Sequence, residues 1–233
     1  KSTCSSTPAN IHIYVKSGTY TRSTSIYYLT SKKVTGIGKV TLANANVSGT
    51  YWLYMGDSIV ENLVIDSNGL NDFDFVDSGN STLNRCLIKG QTQYFCLSNA
   101  GAGLALNMTD CVMAGMNYAT YAISNAVTRT ININGCFISG TMSGFANVRA
   151  ATTLTFNNNR VISIQTDGLF YKNSTASIHV SAKGNNITLT GGSLLACSNA
   201  VSPGNSSFTN SIINISGTSK NMFSLIYFSC DNI

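Results

Sequence analysis

Charge is scarce in this sequence: only 10% of its 233 residues are Asp, Glu, Lys or Arg, against roughly 25% in an ordinary globular domain. The formal net charge of +5 is scattered, and Lys32-Lys33 is the one adjacent basic pair. No basic stripe interleaves with aromatic residues, which argues against nucleic acid as a partner. Proline is confined to Pro8 and Pro203, so no central strand loses a ladder hydrogen bond to it. Helical heptads are missing. No apolar run approaches the roughly 20 residues that span a bilayer, so membrane insertion is not expected. Neither an initiator Met nor a signal peptide opens the chain, and Lys1 is therefore expected to begin an excised or trimmed segment of a longer protein. Cys-x-x-Cys pairs are absent and the only histidines are His12 and His179. No metal site and no cofactor is expected from such a set. Seven cysteines, an odd number, exclude a complete intramolecular disulfide framework.

What is present is a repeat. Leu83–Gly90, Met108–Gly115 and Ile133–Gly140 are three copies of one pattern, with Cys86, Cys111 and Cys136 in register. Their period of about 25 residues lies in the range of repeat architectures. Behind each copy comes a second apolar run: Tyr94–Asn99, Tyr121–Asn125 and Phe145–Arg149. Short strands separated by Asn and Gly turns, repeated at this period, make the coils of an all-β parallel β-helix. Each coil buries its inner face only by stacking on its neighbours. Residues 1–10 read as a lead-in or linker and residues 11–233 as the helical domain. Coils stack about 4.8 Å apart, so about nine of them give a rod on the order of 40 Å long.

The last strand of each coil is expected at Tyr51–Met55, Phe73–Val76, Tyr94–Ser98, Tyr121–Ser124, Phe145–Val148, Leu169–Tyr171, Leu194–Cys197 and Leu225–Phe228. Asn62, Asn84, Asn134 and Asn158 fall at the bend between the first two strands, where Asn tolerates a left-handed backbone and bonds its own turn. The three in-register cysteines fill interior positions as small buried thiols. Free thiols suit a protein assembled in a reducing compartment.

Ile13–Tyr20 followed by Val34–Gly38 resembles the opening coil of the pectin-lyase-like superfamily, which includes pectin-degrading enzymes and the β-helical tailspikes and appendages of bacterial viruses. The resemblance covers nearly the whole chain as coil grammar. It implies a single-stranded, right-handed parallel β-helix at an extracellular or virion surface. Asp72-Phe73-Asp74-Phe75, with Asn80 and Cys86 downstream, is similar to a segment of the pectin methylesterases and would put Asp72 in the place of their nucleophile. Their second carboxylate lies one coil earlier, where this chain has Tyr51, and their preceding Gln is here Thr50. The Arg-x-Trp motif that follows in that family is also missing. The sets that mark polygalacturonases and the calcium sites of pectate lyases are not visible either.

Strand alternation supplies the one chemical constellation. With Phe73 and Phe75 directed to the core, Asp72 and Asp74 are expected outside, beside Trp52, Tyr54 and Tyr94 on the flanking coils. Asp77 and Asp66 lie in turns nearby, and Arg149 and Lys172 fall near the same edge on later coils. Carboxylates flanked by aromatic rings suit a carbohydrate. Two carboxylates can also divide acid and base roles, since residues i and i+2 lie about 6.6 Å apart, within the range inverting glycosidases use. The same acids, left solvated, would discourage lateral association of an exposed strand. The expected function is a surface-exposed β-helix that binds a polysaccharide or cell-surface glycan, with cleavage by Asp72, Asp74 and Asp77, as hydrolase or lyase, left open. A homotrimer is likewise left open. The rival reading is a non-enzymatic adhesin or structural fibre module.

Overall fold

The computed structural model describes residues 10–22, 27–45, 49–68, 71–77, 79–90, 94–98, 104–125, 128–148, 150–165, 167–172, 178–197, 206–217 and 223–224. None of these residues is helical. All strands belong to one hydrogen-bonded system in which every pairing is parallel and joins a strand to its counterpart about one coil away. The chain is a parallel β-solenoid with three ladders. The expected lead-in falls outside the described residues except for Asn10, and so does the expected strand Leu225–Phe228.

The first ladder runs through the opening parts of Ile11–Arg22 and Lys32–Asn44, then Ile59–Glu61, Ser81–Asn84, Leu104–Thr109, Arg129–Asn134, Thr152–Asn157, Ile178–Lys183 and Ser207–Thr209. The second takes the closing parts of the two long opening strands, then Val64–Asp66, Leu87–Lys89 and the first parts of Val112–Asn125 and Phe137–Val148. It ends with Arg160–Gln165, Asn186–Thr190 and Ile212–Ser216. The third holds Tyr27–Tyr28, Gly49–Met55, Asn71–Asp77, Tyr94–Ser98, the later parts of the two long middle strands, Gly168–Lys172, Ser193–Cys197 and Phe223–Ser224. The sequence repeat and the structural repeat coincide.

Alternation holds cleanly on the first ladder. Leu83, Leu106, Met108, Ile131, Ile133, Leu154, Phe156, Val180 and Ala182 are buried, while the residues between them are half-exposed or exposed. In the later coils the interior becomes aromatic: Phe156 meets Phe145 at 5.4 Å and Phe170 at 5.2 Å, and Phe170 meets Phe208 at 6.1 Å. Tilted and edge-on contacts of this kind each add about 0.5–1.5 kcal/mol beyond the area they bury.

The corner between the first two ladders is two residues long in most coils. Its first residue is left-handed: Asn62, Arg85, Asp110, Gly135, Asn158, Gly184 and Asn210 all have φ between 49° and 67°. Asn62 and Asn158 are placed as the sequence suggests. Asn84 and Asn134 are not; they stand one residue earlier on the strand, and Arg85 and Gly135 take the left-handed position. Gly135 suits this position twice over, because a Cβ there would also run into the Asp110 carboxylate of the previous coil. The outward Asn side chains also link coils: Asn158 Nδ2 donates to Asn134 Oδ1 at 3.2 Å, and Arg85 Nε donates to Asn62 Oδ1 at 2.8 Å.

The second corner residue points inward, and it forms the column Cys86, Cys111, Cys136, Asn159, Asn185, Ser211. At this residue the backbone N–H turns away from the ladders and would be buried without a partner. The side chain one coil ahead accepts it. Cys111 N donates to Cys136 Sγ (3.4 Å), Cys136 N to Asn159 Oδ1 (2.8 Å), Asn159 N to Asn185 Oδ1 (2.9 Å) and Asn185 N to Ser211 Oγ (3.2 Å). The thiols in turn donate to carbonyls, as Cys111 Sγ does to Thr109 O at 3.3 Å and Leu83 O at 3.5 Å. The expectation of buried, stacked, free thiols is met. Their role is larger than filling space, because they belong to a hydrogen-bond relay along the solenoid axis.

The neighbouring Cys111 thiol, and then burial, push the Cys86 and Cys136 thiols well above the usual range. Unfolded thiols ionise near about pH 8.5. Above that pH the unfolded chain holds fewer protons at Cys86 and Cys136 than the folded one, so their contribution to stability is complete below it and falls as pH rises. Cys111, which the bonds from Cys136 and Cys86 hold low, adds nothing to that decline. Urea midpoints measured from about pH 7 to about pH 10 should therefore decline, and less steeply in a Cys86→Ala variant. In the folded protein these thiols should resist a thiol-reactive dye that labels them at once in urea. Rapid labelling of Cys86 or Cys136 under native conditions would contradict the buried relay.

Candidate functional site

The strand Asn71–Asp77, which carries Asp72, Asp74 and Asp77, lies in the third ladder between Gly49–Met55 and Tyr94–Ser98. Pairing thus brings together the three coils that the sequence reading joined. The side chains of Asp72, Asp74, Asp77, Tyr94 and Lys172 lie outside the described residues, as does Arg149 altogether. Lys172 closes the strand Gly168–Lys172, in register with Val148 and Cys197.

Register alone fixes several relations. Tyr51 pairs with Phe73 and Phe73 with Tyr94, so Tyr94 occupies the column of Phe73 and not that of the acids. Phe75 stands in a column whose other members include Leu53, Ala146, Phe170 and Leu195, all buried. Trp52 falls between the pairs Tyr51↔Phe73 and Leu53↔Phe75, and hence beside Asp74, in a column whose other members include the buried Phe145, Leu169 and Leu194. Pairing therefore puts Asp74 at an inward register position, against the expectation that it stands outside with Tyr54.

The expectation that Trp52 is exposed is overturned: its side chain is 0% accessible. Simple alternation fails here because the third ladder has two consecutive inward positions. Trp52 and Leu53 are both buried, and so are Phe145 and Ala146, Leu169 and Phe170, and Leu194 and Leu195. Tyr27 meets the indole edge-on at 5.9 Å. Indole Nε1 is buried with no hydrogen-bond partner among the described residues.

Tyr54, by contrast, is half-buried on the outside as expected. It stands in register with Tyr28 on one side and Val76 on the other. The Tyr28 and Tyr54 rings lie 5.5 Å apart at 44°, and Tyr28 is 42% exposed. Two coil-adjacent rings, one exposed and one half-buried, therefore form an aromatic strip next to the strand Asn71–Asp77. Tyr28 was missed in the sequence because the two-residue strand Tyr27–Tyr28 carries no repeat signature; only its pairing reveals the column.

Asp66 is on the second ladder and is already engaged. Lys89 Nζ lies 2.8 Å from Oδ2, and Asn68 N donates to Oδ1 at 3.0 Å. At the opening coils of the first ladder Lys33 Nζ lies 3.3 Å from Glu61 Oε2, which Thr35 Oγ1 also approaches at 3.0 Å. Burial opposes charge on Glu61, but the bonds from Thr35, Lys33 and Asn84 outweigh it and hold the carboxyl below its usual range. An open cleft of about 380 Å³ lies beside this cluster, lined in part by His12, Lys33, Asp57 and Ile59. His12 Nε2 is 2.9 Å from Thr35 Oγ1 and Asp57 Oδ1 accepts from Asn80 N at 3.0 Å, so both have structural partners.

No family model, curated protein or solved structure matches the chain. Among the described residues no three His, Cys, Asp or Glu side chains converge as a metal site. No helix among them is long and apolar enough to cross a membrane.

Proposed function

We propose that this chain is a surface-exposed β-solenoid that binds a polysaccharide, in the manner of a viral tailspike or appendage or of a secreted pectin-lyase-like protein. The observation that carries the reading is the Tyr28–Tyr54 strip, with Tyr28 exposed and Tyr54 half-buried, next to the strand that holds Asp72. An exposed tyrosine offers an apolar ring with a polar tip and little rotamer entropy to lose, which suits the alternating apolar faces and hydroxyl edges of a sugar. Neighbouring carboxylates accept hydroxyl hydrogens. Cleavage by Asp72, Asp74 and Asp77 is the narrower form of the same proposal, with an extracellular or virion-surface setting.

A Tyr28→Ala/Tyr54→Ala double variant should keep its melting temperature and lose roughly 1–3 kcal/mol of glycan affinity, the range of central contacts. Asp72→Asn should abolish any release of reducing ends or unsaturated products. Unchanged affinity in the tyrosine variant, across every polysaccharide that the parent protein binds, would overturn this site. Binding to none of a broad glycan panel would leave the solenoid as a structural rod.

A further inference from the structure

The outward face of the first ladder carries a second, differently built array. Its columns follow from register. One runs Ala105, Thr130, Thr153. The next runs Thr82, Asn107, Asn132, Thr155. The third runs Asn84, Thr109, Asn134, Asn157. Every one of these residues is half-exposed or exposed, and the residues alternating with them are buried. The outward positions of these four strands hold hydroxyl and carboxamide groups with a single Ala, and no charge and no aromatic ring. Charge flanks the array: Lys33 and Glu61 lie on one side and Lys183 on the other, and the exposed corner residues Arg85 and Asp110 follow its third column.

We infer that this face is a binding surface for a neutral, extended polysaccharide, a substrate class that rests on the polysaccharide reading above but a site separate from the tyrosine strip. Charge complementarity selects the ligand. An acidic polymer laid across the three columns would lose hydration from its carboxylates and meet no cation within them. A neutral polymer exchanges hydroxyl–water bonds for hydroxyl–hydroxyl and hydroxyl–carboxamide bonds, each of which nets little. Such contacts matter only when repeated. Repetition is what the face supplies: equivalent groups recur about 4.8 Å apart across strands and about 6.6 Å apart along them, the scale of a sugar ring. The groups are also held in place before any ligand arrives. Threonine is restricted to few rotamers by its β-branch, and Asn132 Nδ2 donates to Asn107 Oδ1 at 2.8 Å. That bond fixes both carboxamides and leaves a second Asn132 N–H to donate outward.

The test uses the whole chain in affinity electrophoresis and pull-down. The neutral probes are cellulose, chitin, galactomannan and mixed-linkage glucan, and the acidic ones are polygalacturonate and alginate. The parent protein should be retained by at least one neutral polymer. A Thr130→Glu/Thr155→Glu variant should lose at least about tenfold of that affinity, with an unchanged circular dichroism spectrum and melting temperature. The conservative Thr130→Ser/Thr155→Ser variant, which keeps both hydroxyls, should retain it. Retention by acidic polymers alone would overturn the inference. So would neutral-polymer binding that survives the glutamates, and if the same binding disappears in Tyr28→Ala/Tyr54→Ala the polysaccharide reading stands while this face is excluded. Binding to neither class would end both.

Discussion

Replacing Asn185 by Ala is expected to destabilise the protein by about 2–5 kcal/mol, because each buried polar group left without a partner costs about 1–3 kcal/mol. Asn185 Oδ1 accepts from Asn159 N at 2.9 Å and from Asn159 Nδ2 at 3.2 Å, while its own Nδ2 donates to Phe156 O at 2.7 Å. No solvent reaches the site to replace these bonds: Asn185 and Asn159 are each 2% accessible. The column itself suggests the rescue. Cys136 does the same work two coils earlier, accepting from Cys111 N at 3.4 Å. Asn185→Cys should therefore recover part of the loss that Asn185→Ala incurs. Urea midpoints of the three proteins decide the matter. An Ala variant within half a kcal/mol of the parent, or a Cys variant no better than Ala, would mean that the relay is a geometric coincidence.

Trp52→Ala is expected to cost about 3–5 kcal/mol, the usual range for emptying a buried aromatic site. Trp52→Phe should cost far less than the difference in buried area implies. The indole N–H has no partner among the described residues, and removing a buried unsatisfied donor returns part of the loss. Glycan affinity, measured well below the melting temperature, should be unaffected in Trp52→Phe. A loss of affinity with unchanged stability would restore the exposed-aromatic reading of this residue.

Much of the fold is legible in the sequence because its main signals are local. Cys86, Cys111 and Cys136 mark the period, the buried residues of the first ladder alternate strictly, and a left-handed Asn such as Asn62 or Asn158 marks a corner. Other corners are harder to read. Arg85 takes the left-handed position with no turn-forming signature, so Asn84 attracts the assignment that belongs to its neighbour. The inward column is legible only in part for a similar reason. Asn159, Asn185 and Ser211 continue the cysteine series at spacings of 23 and 26 residues, but polarity hides them from a search for apolar repeats.

The candidate site is less legible, and Trp52 shows why. Period-two reasoning assigns every second residue to the outside. That holds only while the strand is straight and one of its faces is wet. On the third ladder two consecutive positions are buried coil after coil, so the rule displaces Trp52 by one face. It also puts Tyr94 with the acids when pairing puts it with Phe73. Tyr54 escapes the error because it lies beyond the doubled position, where alternation has resumed.

The coil length has a kinetic consequence. Each strand meets its partner after nearly the same stretch of chain, from 21 residues between Ile11 and Lys32 to 28 between Leu195 and Phe223. The entropy of closing a loop grows only as the logarithm of its length, so every coil closes at almost equal entropic cost. No coil is favoured by chain connectivity, and the choice of starting point passes to side-chain contacts. Among the described residues the densest aromatic contacts join Phe145, Phe156 and Phe170 across adjacent coils. Folding that nucleates there can extend in both directions by adding one closed loop at a time onto an edge already in place. In such a molecule the barrier belongs to the first pair of coils, and the rest is propagation.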